Sequence, residues 1–372
     1  MKRKHFTSFL VLLTALTVLL SGCGTGSSAG SKANANEKVS FDNVPKRFAK
    51  GQGAKIKVIR KIGGDDHTAQ FLAGTKAEGE ALGFTVDVYT ANGDTAKFHD
   101  AISQALEENY DGFIISHGDD EATVADVKKI TAKGIPVVAF DSNPKLKDIK
   151  GVTVTSQDDE QLAKKSLDAL VSDFKGKANI AYLWVDGFPP MVRRNKVYQE
   201  TLKQHSGIKE LDRFGVASSD TSVQTQNAVA AMLNKYPKGK LDAIFATWDA
   251  FAIGAARALK EAGRTEVKIY GIDVSNADLQ EMTAKDSPWK YTAAVDPKLI
   301  GAVDVRILAK KIAGEKTPSS YDLEASLISQ KQLQQAGKAI NMVNLADEVK
   351  GFGSSTAFEE DWMKTLKKHY TK

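Results

Sequence analysis

The chain has 372 residues, of which 42% are hydrophobic and 26% charged, so it is long enough for two ordinary globular domains and has the composition of such domains. Its formal net charge is +5, but residues 1–22 hold three basic and no acidic side chains, so their removal would leave +2. That balance is too mild to indicate a nucleic-acid-binding protein, and a single cysteine excludes disulfide bonds within the chain.

The N-terminal segment has the pattern of an export signal. Three basic residues precede an apolar run over residues 9–20, which is shorter than the roughly 20 residues that a membrane-spanning helix needs. The Leu-Ser-Gly-Cys stretch that ends at Cys23 looks like a bacterial lipobox, whose cysteine is lipidated. We therefore predict a lipoprotein signal peptide over residues 1–22 and a lipid anchor on Cys23. The alternative is an ordinary secretory signal with a chance cysteine. Small polar residues predict a flexible tether over residues 23–53.

From residue 55 onward, strand-like and helix-like runs alternate. The predicted strands of the first half cover residues 55–62, 84–89, 112–117 and 136–141. The predicted helices between them cover residues 67–82, 94–108 and 120–132. Several strands are apolar throughout, as in VVAF and FII, which indicates a parallel sheet with both faces buried. The alternation predicts βαβ units with right-handed crossovers.

The same alternation restarts near residue 151 and predicts a second sheet. Its strands are predicted at residues 151–156, 179–185, 242–247 and 268–273. Its helices are predicted at residues 158–174, 194–204, 222–234 and 248–262. A strand at 291–296 then leads to a helix at 297–313. Two sheets are favoured over one very wide sheet, so we predict an α/β fold with two doubly wound parallel-sheet lobes.

Ligands of open parallel sheets bind beyond the carboxyl ends of the strands. The residues that follow the predicted strands there, and that we expect to contact a ligand, are Asp65, Asp66, His67, His117, Asp141, Phe188, Arg194, Trp248 and Asp273. Carboxylates accept hydrogen bonds from hydroxyls, a guanidinium donates two in a fixed geometry, and aromatic rings cover C–H faces. This mixture favours a polyhydroxylated ligand.

Several of these residues also have a plainer structural interpretation. One of Asp65 and Asp66 can be only the N-cap of the next helix, and Asp249 is expected to cap the helix at 248–262. The alternatives for Trp248 and His117 are a core residue and a plain loop residue. Two neighbours that are not expected to contact ligand are Arg193, taken as a solvated surface arginine, and Trp184, taken as core.

The sequence gives little support to metal or catalytic sites. Three adjacent residues such as 65–67 rarely converge on one ion, and no other His/Cys set has ligand spacing. The chain has no Walker A loop, no HExxH and no Gly-rich dinucleotide turn after a strand. We therefore expect no cofactor, no metal and no catalytic residue; an extracytoplasmic enzyme remains the less favoured alternative.

Five motifs occur in order along residues 54–330: FLAGTKAEGEALGFTV, YDGFIIS, GIPVVAFDSN, FATWDAFAIGAARALKEAG and KIYGIDVSNADL. Together they resemble the type I sugar-binding proteins of bacterial ABC importers, the group of the ribose- and galactose-binding proteins. The resemblance implies a type I periplasmic-binding-protein fold, in which a three-strand hinge joins two lobes that close on the ligand. The implied division is a first lobe of residues 54–156 plus 296–324 and a second lobe of 157–295 plus 325–340. The charged, weakly periodic end of the chain predicts a C-terminal helical extension at 341–372.

The resemblance also assigns roles to individual residues. It implies that Asp141 is the aspartate that grips two sugar hydroxyls, Arg194 the second-lobe arginine, and Asp273 the aspartate that closes the GID strand. Trp248 occupies a position that is often asparagine. The chain departs from the ribose-type pattern at Asp65, His67, Thr68, Ser142 and Val295. These departures argue against ribose itself and leave other sugars and polyols open.

The function that the resemblance implies is a lipid-anchored, extracytoplasmic and monomeric receptor that delivers a sugar or polyol to the membrane subunits of an ABC permease. A non-sugar ligand, such as a nucleoside or a signalling furanone, and a chemosensory binding protein are the alternatives. LacI-type regulators share the two-lobed core, but they carry an N-terminal helix-turn-helix where this chain has an export signal.

Overall fold

The computed structural model describes residues 40–218 and 220–371, so the predicted signal peptide, Cys23 and the first part of the predicted tether lie outside the described residues. In chain order the strands are β1 (Lys55–Arg60), β2 (Thr85–Thr90), β3 (Gly112–Ser116), β4 (Val137–Phe140), β5 (Val152–Gln157), β6 (Ala178–Leu183), β7 (Ile208–Phe214), β8 (Ala243–Ala246), β9 (Lys268–Ile272), β10 (Trp289–Ala294), β11 (Ser320–Leu323) and β12 (Ser326–Ser329). The α-helices are α1 (Asp66–Ala81), α2 (Thr95–Ala105), α3 (Glu121–Ala132), α4 (Asp159–Asp173), α5 (Pro189–Gln204), α6 (Thr221–Lys235), α7 (Asp249–Glu261), α8 (Asn276–Thr283), α9 (Pro297–Ile312), α10 (Gln330–Gln335), α11 (Leu345–Glu348) and α12 (Asp361–Tyr370).

The strands form two six-stranded sheets, one in each lobe. The first sheet has the order β11-β5-β4-β3-β1-β2, and its pairs are parallel. The second has the order β12-β10-β9-β8-β6-β7, in which only β12 runs antiparallel to its neighbour. In both sheets the first strand of the lobe lies inside the order, so the winding reverses there, as in doubly wound folds. The predicted fold class is confirmed.

Both faces of the first sheet are buried, as its apolar strands predict. Val58 and Ile114 pack with residues of α1 and α9 on one face, whereas Ile59 and Ile115 pack with α2 and α3 on the other. Adjacent residues of a strand point to opposite faces, so an unbroken apolar run requires cover on both sides. Helices on two faces therefore fix the strands, and the loops at their carboxyl ends are left to form the site.

The chain crosses between the lobes three times near the sheets. It leaves the first lobe between β5 and α4, which packs on β9 and β10, and it returns between β10 and α9, which packs on α1. It crosses again between β11 and β12, which pair with strands of different sheets. Three crossings agree with the hinge that the resemblance implies.

Three strands were not expected from the sequence. Strand β7 lies at the edge of the second sheet and has the sequence IKELDRF. It was missed because its charged residues break the apolar run by which a strand is recognised. Strands β11 and β12 have only four residues each. Helix α5 begins at Pro189, five residues before the predicted start at 194, because two prolines at its first positions preset the helical φ angle.

The predicted tether is too long at its C-terminal end. Val44 and Phe48 are buried, and the Phe48 ring stacks on Trp362 of α12 with centroids 5.4 Å apart. Arg47 forms an ion pair with Asp111 at 2.6 Å. Residues 40–53 are therefore part of the first lobe, because the side chains of Val44 and Phe48 are buried there, with Phe48 against α12.

The C-terminal extension connects the two lobes. Leu345 and Phe352 belong to the core of the second lobe, whereas Trp362 and Leu366 belong to the core around the first sheet. Gly353 lies where the extension passes the hinge, with φ +68° and a position where a Cβ atom would come 2.5 Å from a carboxylate oxygen of Asp296. A cavity of about 390 Å³ separates this part of the extension from hinge residues 323–327. Within the described ranges, no helix is both long and apolar enough to cross a membrane.

Candidate functional site

The first of the predicted site residues, Asp65, is the N-cap of α1. Its Oδ1 accepts a hydrogen bond from the Thr68 backbone N–H at 2.6 Å, and its backbone is extended. This satisfies one of the N–H groups that a helix start leaves without a partner. The plainer interpretation of this carboxylate is therefore what the structure shows.

Asp66 reaches across the cleft to the other lobe. Its Oδ2 accepts a hydrogen bond from the backbone N–H of Asn276, the first residue of α8, at 2.9 Å. A carboxylate at a helix N-terminus is favoured by the helix dipole. Asp66 thus holds the mouth of the cleft together, a role that the sequence, which pointed to ligand contact, did not predict.

His67 and His117 form a wall of the first lobe, on the ring of Phe140. The His67 ring stacks on Phe140 with centroids 6.2 Å apart, and the His117 ring meets it edge-on at 5.6 Å. Burial and the charge of Arg60 hold the pKa of each imidazole well below its ordinary value, so both rings are neutral at pH 7. The structure therefore brings two neutral imidazoles together at the end of β3 and β1.

Asp141 directly follows β4, and its Oδ1 is a buried acceptor of the first lobe. Its backbone has φ +43°, and its Oδ1 is buried with no hydrogen-bond partner among the described residues. Burial, followed by the charge of Asp159 from the second lobe, raises the pKa of Asp141 to about 7, although Arg193 and Arg194 oppose that rise. A buried acceptor without a partner costs free energy, so it marks a place where a donor from a ligand would be favourable.

The second lobe presents Arg194, held by two carboxylates. Its Nε donates to Asp159 Oδ1 at 2.9 Å, and its Nη1 and Nη2 donate to the two oxygens of Asp273 at 3.1 and 3.3 Å. Nη1 also donates to the Thr247 carbonyl at 2.5 Å. Burial lowers the pKa of Arg194, but Asp273 and Asp159 outweigh it and raise that pKa, so the guanidinium is charged. Arg194 and Asp273, both predicted site residues, are a preformed pair.

Arg193 is partly exposed, as expected of a surface arginine, but it is also in an ion pair. Its Nε donates to Asp159 Oδ2 at 2.9 Å, on the oxygen that Arg194 leaves free. Its side chain is 39% exposed, against 1% for the Asp159 side chain. Asp159, in the first turn of α4, lies against α5 and pairs with both arginines, of which only Arg194 is buried.

The aromatic candidates differ in their placement. Trp248 occupies the N-cap position of α7, half-buried and edge-on to the ring of Phe251 at 5.7 Å. Phe188 is 47% exposed at the start of α5. Trp184 is half-buried; it stacks on Tyr182, and its indole N–H donates to the Met191 carbonyl at 2.9 Å, as expected of a packing residue.

Asp249 is not the N-cap of α7 but its first helical residue. Its Oδ1 accepts from the adjacent Ala250 N–H at 2.7 Å. Burial and then the charge of Asp273 raise the pKa of Asp249 to about 7. Behind it, both carboxyl oxygens of Asp278 are buried without a partner among the described residues, and burial and Asp249 raise the pKa of Asp278 well above its ordinary value.

Three further side chains of the site were not predicted: Arg60, Asp159 and Asp304. Asp304 of α9 accepts from Thr155 Oγ1 at 2.8 Å, and its other oxygen is buried without a partner among the described residues. Burial raises the pKa of Asp304 to about 8, and Asp141 adds to that rise. In the described part of the chain, no group of three or more His, Cys, Asp or Glu residues could hold a metal ion. The arrangement is suited to binding a neutral polar molecule.

Two solved structures of transport proteins are similar to this chain in sequence and fold. The crystal structure of a sugar ABC transporter from Yersinia enterocolitica is 51% identical, with a TM-score of 0.78, over 88% of this chain and 98% of that one. A 5-methylthioribose transporter solute binding protein from Thermotoga lettingae, in complex with 5-methylthioribose, is 32% identical with a TM-score of 0.76, over 87% of this chain and 99% of that one.

More distant relatives and a family match agree with these structures. The ribose import binding protein RbsB of Salmonella typhimurium is 25% identical over 68% of this chain and 83% of its own. The D-apiose import binding protein of Paraburkholderia graminis is 27% identical over 54% of this chain and 63% of its own. Residues 56–316 match the family described as "Periplasmic binding protein domain". The chain therefore belongs to the periplasmic binding protein family.

Proposed function

We propose that this chain is the solute receptor of an ABC importer and that it binds an uncharged sugar or polyol between its lobes. The observation that carries the proposal is Asp141 Oδ1, which is buried without a partner among the described residues. The second lobe adds the Arg194–Asp273 pair, and the charge of its arginine acts on the Asp141 carboxyl group. A ligand with neighbouring hydroxyls can donate to the aspartates and accept from the guanidinium at once.

The relatives support a ligand of this class. Their names specify ribose, D-apiose, xylitol and 5-methylthioribose, all of them small molecules with adjacent hydroxyls. The pairing of Arg194 with Asp159 and Asp273 disfavours an anion, because the charge of this guanidinium is already compensated by two carboxylates. A nucleoside or a signalling furanone remains the alternative ligand, and chemosensory docking the alternative role.

The proposal includes a lipid anchor on Cys23, action as a monomer, delivery to permease membrane subunits and no catalytic turnover. It places the receptor outside the cytoplasmic membrane, because the Leu-Ser-Gly-Cys stretch, which resembles a lipobox, follows a predicted export signal. Consumption of a bound sugar by the purified protein would contradict the absence of catalysis.

A thermal-shift panel tests the ligand class. The chain without signal peptide and Cys23, residues 24–372, is heated with 5-methylthioribose, D-ribose, D-apiose, xylitol, a nucleoside and a furanone. The true ligand at about 100 times its Kd stabilises the folded state by about 2.7 kcal/mol, and we expect the largest shift from 5-methylthioribose or another member of the sugar and polyol group. A shift with the nucleoside or furanone alone would contradict the proposal.

A second expected result concerns Asp66. Replacement by alanine removes the bond from Asp66 to the α8 N-terminus, which is worth about 0.5–1 kcal/mol at an exposed site, so Kd should rise by about two- to fivefold. Asp66→Asn keeps an acceptor oxygen, so its Kd should lie between those of the wild type and Asp66→Ala. Calorimetric titration measures both. A loss of about 100-fold or more would instead indicate the direct ligand contact expected from sequence.

A further inference from the structure

Arg60 is a buried cation of the first lobe that forms no ion pair with the described residues. It ends β1, is 2% exposed, and its guanidinium lies over the ring of Phe71 at 4.9 Å. Its Nε donates to Thr68 Oγ1 at 3.0 Å, its Nη1 to Ser116 Oγ at 3.1 Å, and its Nη2 contacts His67 Nδ1 at 2.9 Å. A buried guanidinium that bonds neutral partners in place of carboxylates requires an explanation other than charge pairing.

The contact with His67 fixes the position of a proton. A guanidinium has only donors, so His67 Nδ1 must accept, and a neutral imidazole that accepts at Nδ1 carries its proton on Nε2. The sequence gives no sign of this contact, because Arg60 and His67 come from different elements on either side of a glycine turn.

Ser116 links Arg60 to His117 and fixes the proton of that imidazole as well. Ser116 is completely buried; its Oγ accepts from Arg60 and lies 2.7 Å from His117 Nδ1. Among the described residues, His117 is the one partner left for the serine hydroxyl hydrogen, because Arg60 can only donate. His117 Nδ1 therefore accepts, and His117 also carries its proton on Nε2.

The two Nε2 atoms are left for a ligand. Neither is in a hydrogen bond with the described residues, and neither is among their buried polar atoms without a partner, so each can reach a solvent or ligand acceptor. The Phe140 ring holds both imidazoles in place. Beside them, Asp141 supplies an acceptor.

We propose that Arg60 is a positioning residue of the ligand site: directly through Nη2, and indirectly through Ser116, it fixes His67 and His117 as neutral imidazoles with the proton on Nε2. The first lobe then offers two N–H donors and one carboxyl acceptor to one ligand. The donor role rests on the proposed function, whereas the tautomers do not.

Imidazole nitrogen NMR spectra of the ligand-free protein, residues 24–372, test the tautomers without any ligand. We expect the Nε2–H form for both histidines in the wild type. Arg60→Met should release both rings into mixed tautomers, and Ser116→Ala, a milder change, should release His117 alone. The matched control is Arg306→Met, a second buried arginine of the same lobe that bonds Glu78 at 2.7 Å and no histidine, so both tautomers should stay as in the wild type.

Titration of the best ligand from the panel then tests the positioning role. Arg60→Met should weaken binding at least tenfold, and Ser116→Ala by a smaller factor, while Arg306→Met leaves Kd within about twofold. Nδ1–H tautomers in the wild type, or unchanged tautomers in Ser116→Ala, would overturn the proposal even if Arg60→Met does not fold. Released tautomers with unchanged affinity would overturn the positioning role. Expected tautomers in a protein that binds no panel ligand would instead overturn the proposed function.

Discussion

Asp141→Asn is expected to raise the unfolding free energy of the ligand-free protein and to weaken ligand binding about 100-fold. Stability rises because the variant replaces a partly charged carboxyl group by a neutral amide of the same shape. The Oδ1 of that carboxyl group is buried and has no partner among the described residues. Affinity falls because two hydrogen bonds to a carboxylate, worth about 1.5–3 kcal/mol each, become bonds to an amide whose NH₂ cannot accept. Chemical unfolding and calorimetric titration measure the two effects.

The pH dependence of that gain gives a sharper test. An ordinary aspartate in the unfolded chain loses its proton near pH 4, whereas burial and Asp159 raise the pKa of Asp141 to about 7 in the folded state. Between these values the folded state binds more protons, so the contribution of Asp141 to stability falls as pH rises from about 4 to 7. The stability difference between Asp141→Asn and wild type should therefore be smallest near pH 4 and grow toward pH 7.

Asp148→Asn is the matched control, because Asp148 lies exposed in the connection after the same strand. It should change neither stability nor affinity beyond about 0.5 kcal/mol. Lower stability in Asp141→Asn, or an affinity equal to that of wild type, would contradict the role given to this carboxyl group.

Arg194→Met is expected to lower the unfolding free energy by about 3–5 kcal/mol, because it leaves the buried carboxylate of Asp159 and the half-buried carboxylate of Asp273 without this partner. Arg193→Met removes the neighbouring arginine from the same helix. Its side chain is 39% exposed, and Asp159 keeps Arg194, so the expected loss is at most about 1 kcal/mol. Equal losses in the two variants would contradict the burial and pairing of Arg194.

Binding through Arg194 is separated from stability by Arg194→Lys. Lysine keeps a positive charge near both carboxylates but loses the planar fork that bonds Asp273 at two oxygens. This variant should remain folded at room temperature and still bind the panel ligand at least tenfold more weakly than wild type. Wild-type affinity in Arg194→Lys would show that charge alone, without the fork geometry, holds the site.

The fold was predictable because its strands are short apolar runs between glycine and aspartate turns. Such apolar runs predicted β3, β4, β8 and β9. They did not predict β7, because this strand lies at the edge of its sheet and has the charged sequence IKELDRF. The first lobe also includes residues 40–53, because burial of Phe48 depends on Trp362 near the other end of the chain. Contacts of such sequence separation are not visible in local patterns.

The candidate-site residues that directly follow a strand were predictable from sequence. Those that lie within a strand or a helix and contact the site residues from there were not. Arg60 was overlooked because the predicted strand ran to residue 62, which placed Arg60 inside the strand, whereas only residues that follow a strand were considered for the site. Asp159 resembles an ordinary first-turn acid of a helix. Asp304 did give a signal: it interrupts the apolar stretch IGAVDVRIL of α9, where a carboxyl group on a buried face indicates a special environment. The ligand roles of the strand-end residues remain predictions.

The most direct test of the account is a crystal structure of residues 24–372 with the ligand that gives the largest thermal shift. We expect the ligand between the lobes, with a hydroxyl about 2.6–3.0 Å from Asp141 Oδ1 and other polar atoms at hydrogen-bond distance from Arg194 or Asp273. A ligand in the hinge cavity, or one in the cleft that makes no contact with Asp141, would contradict it.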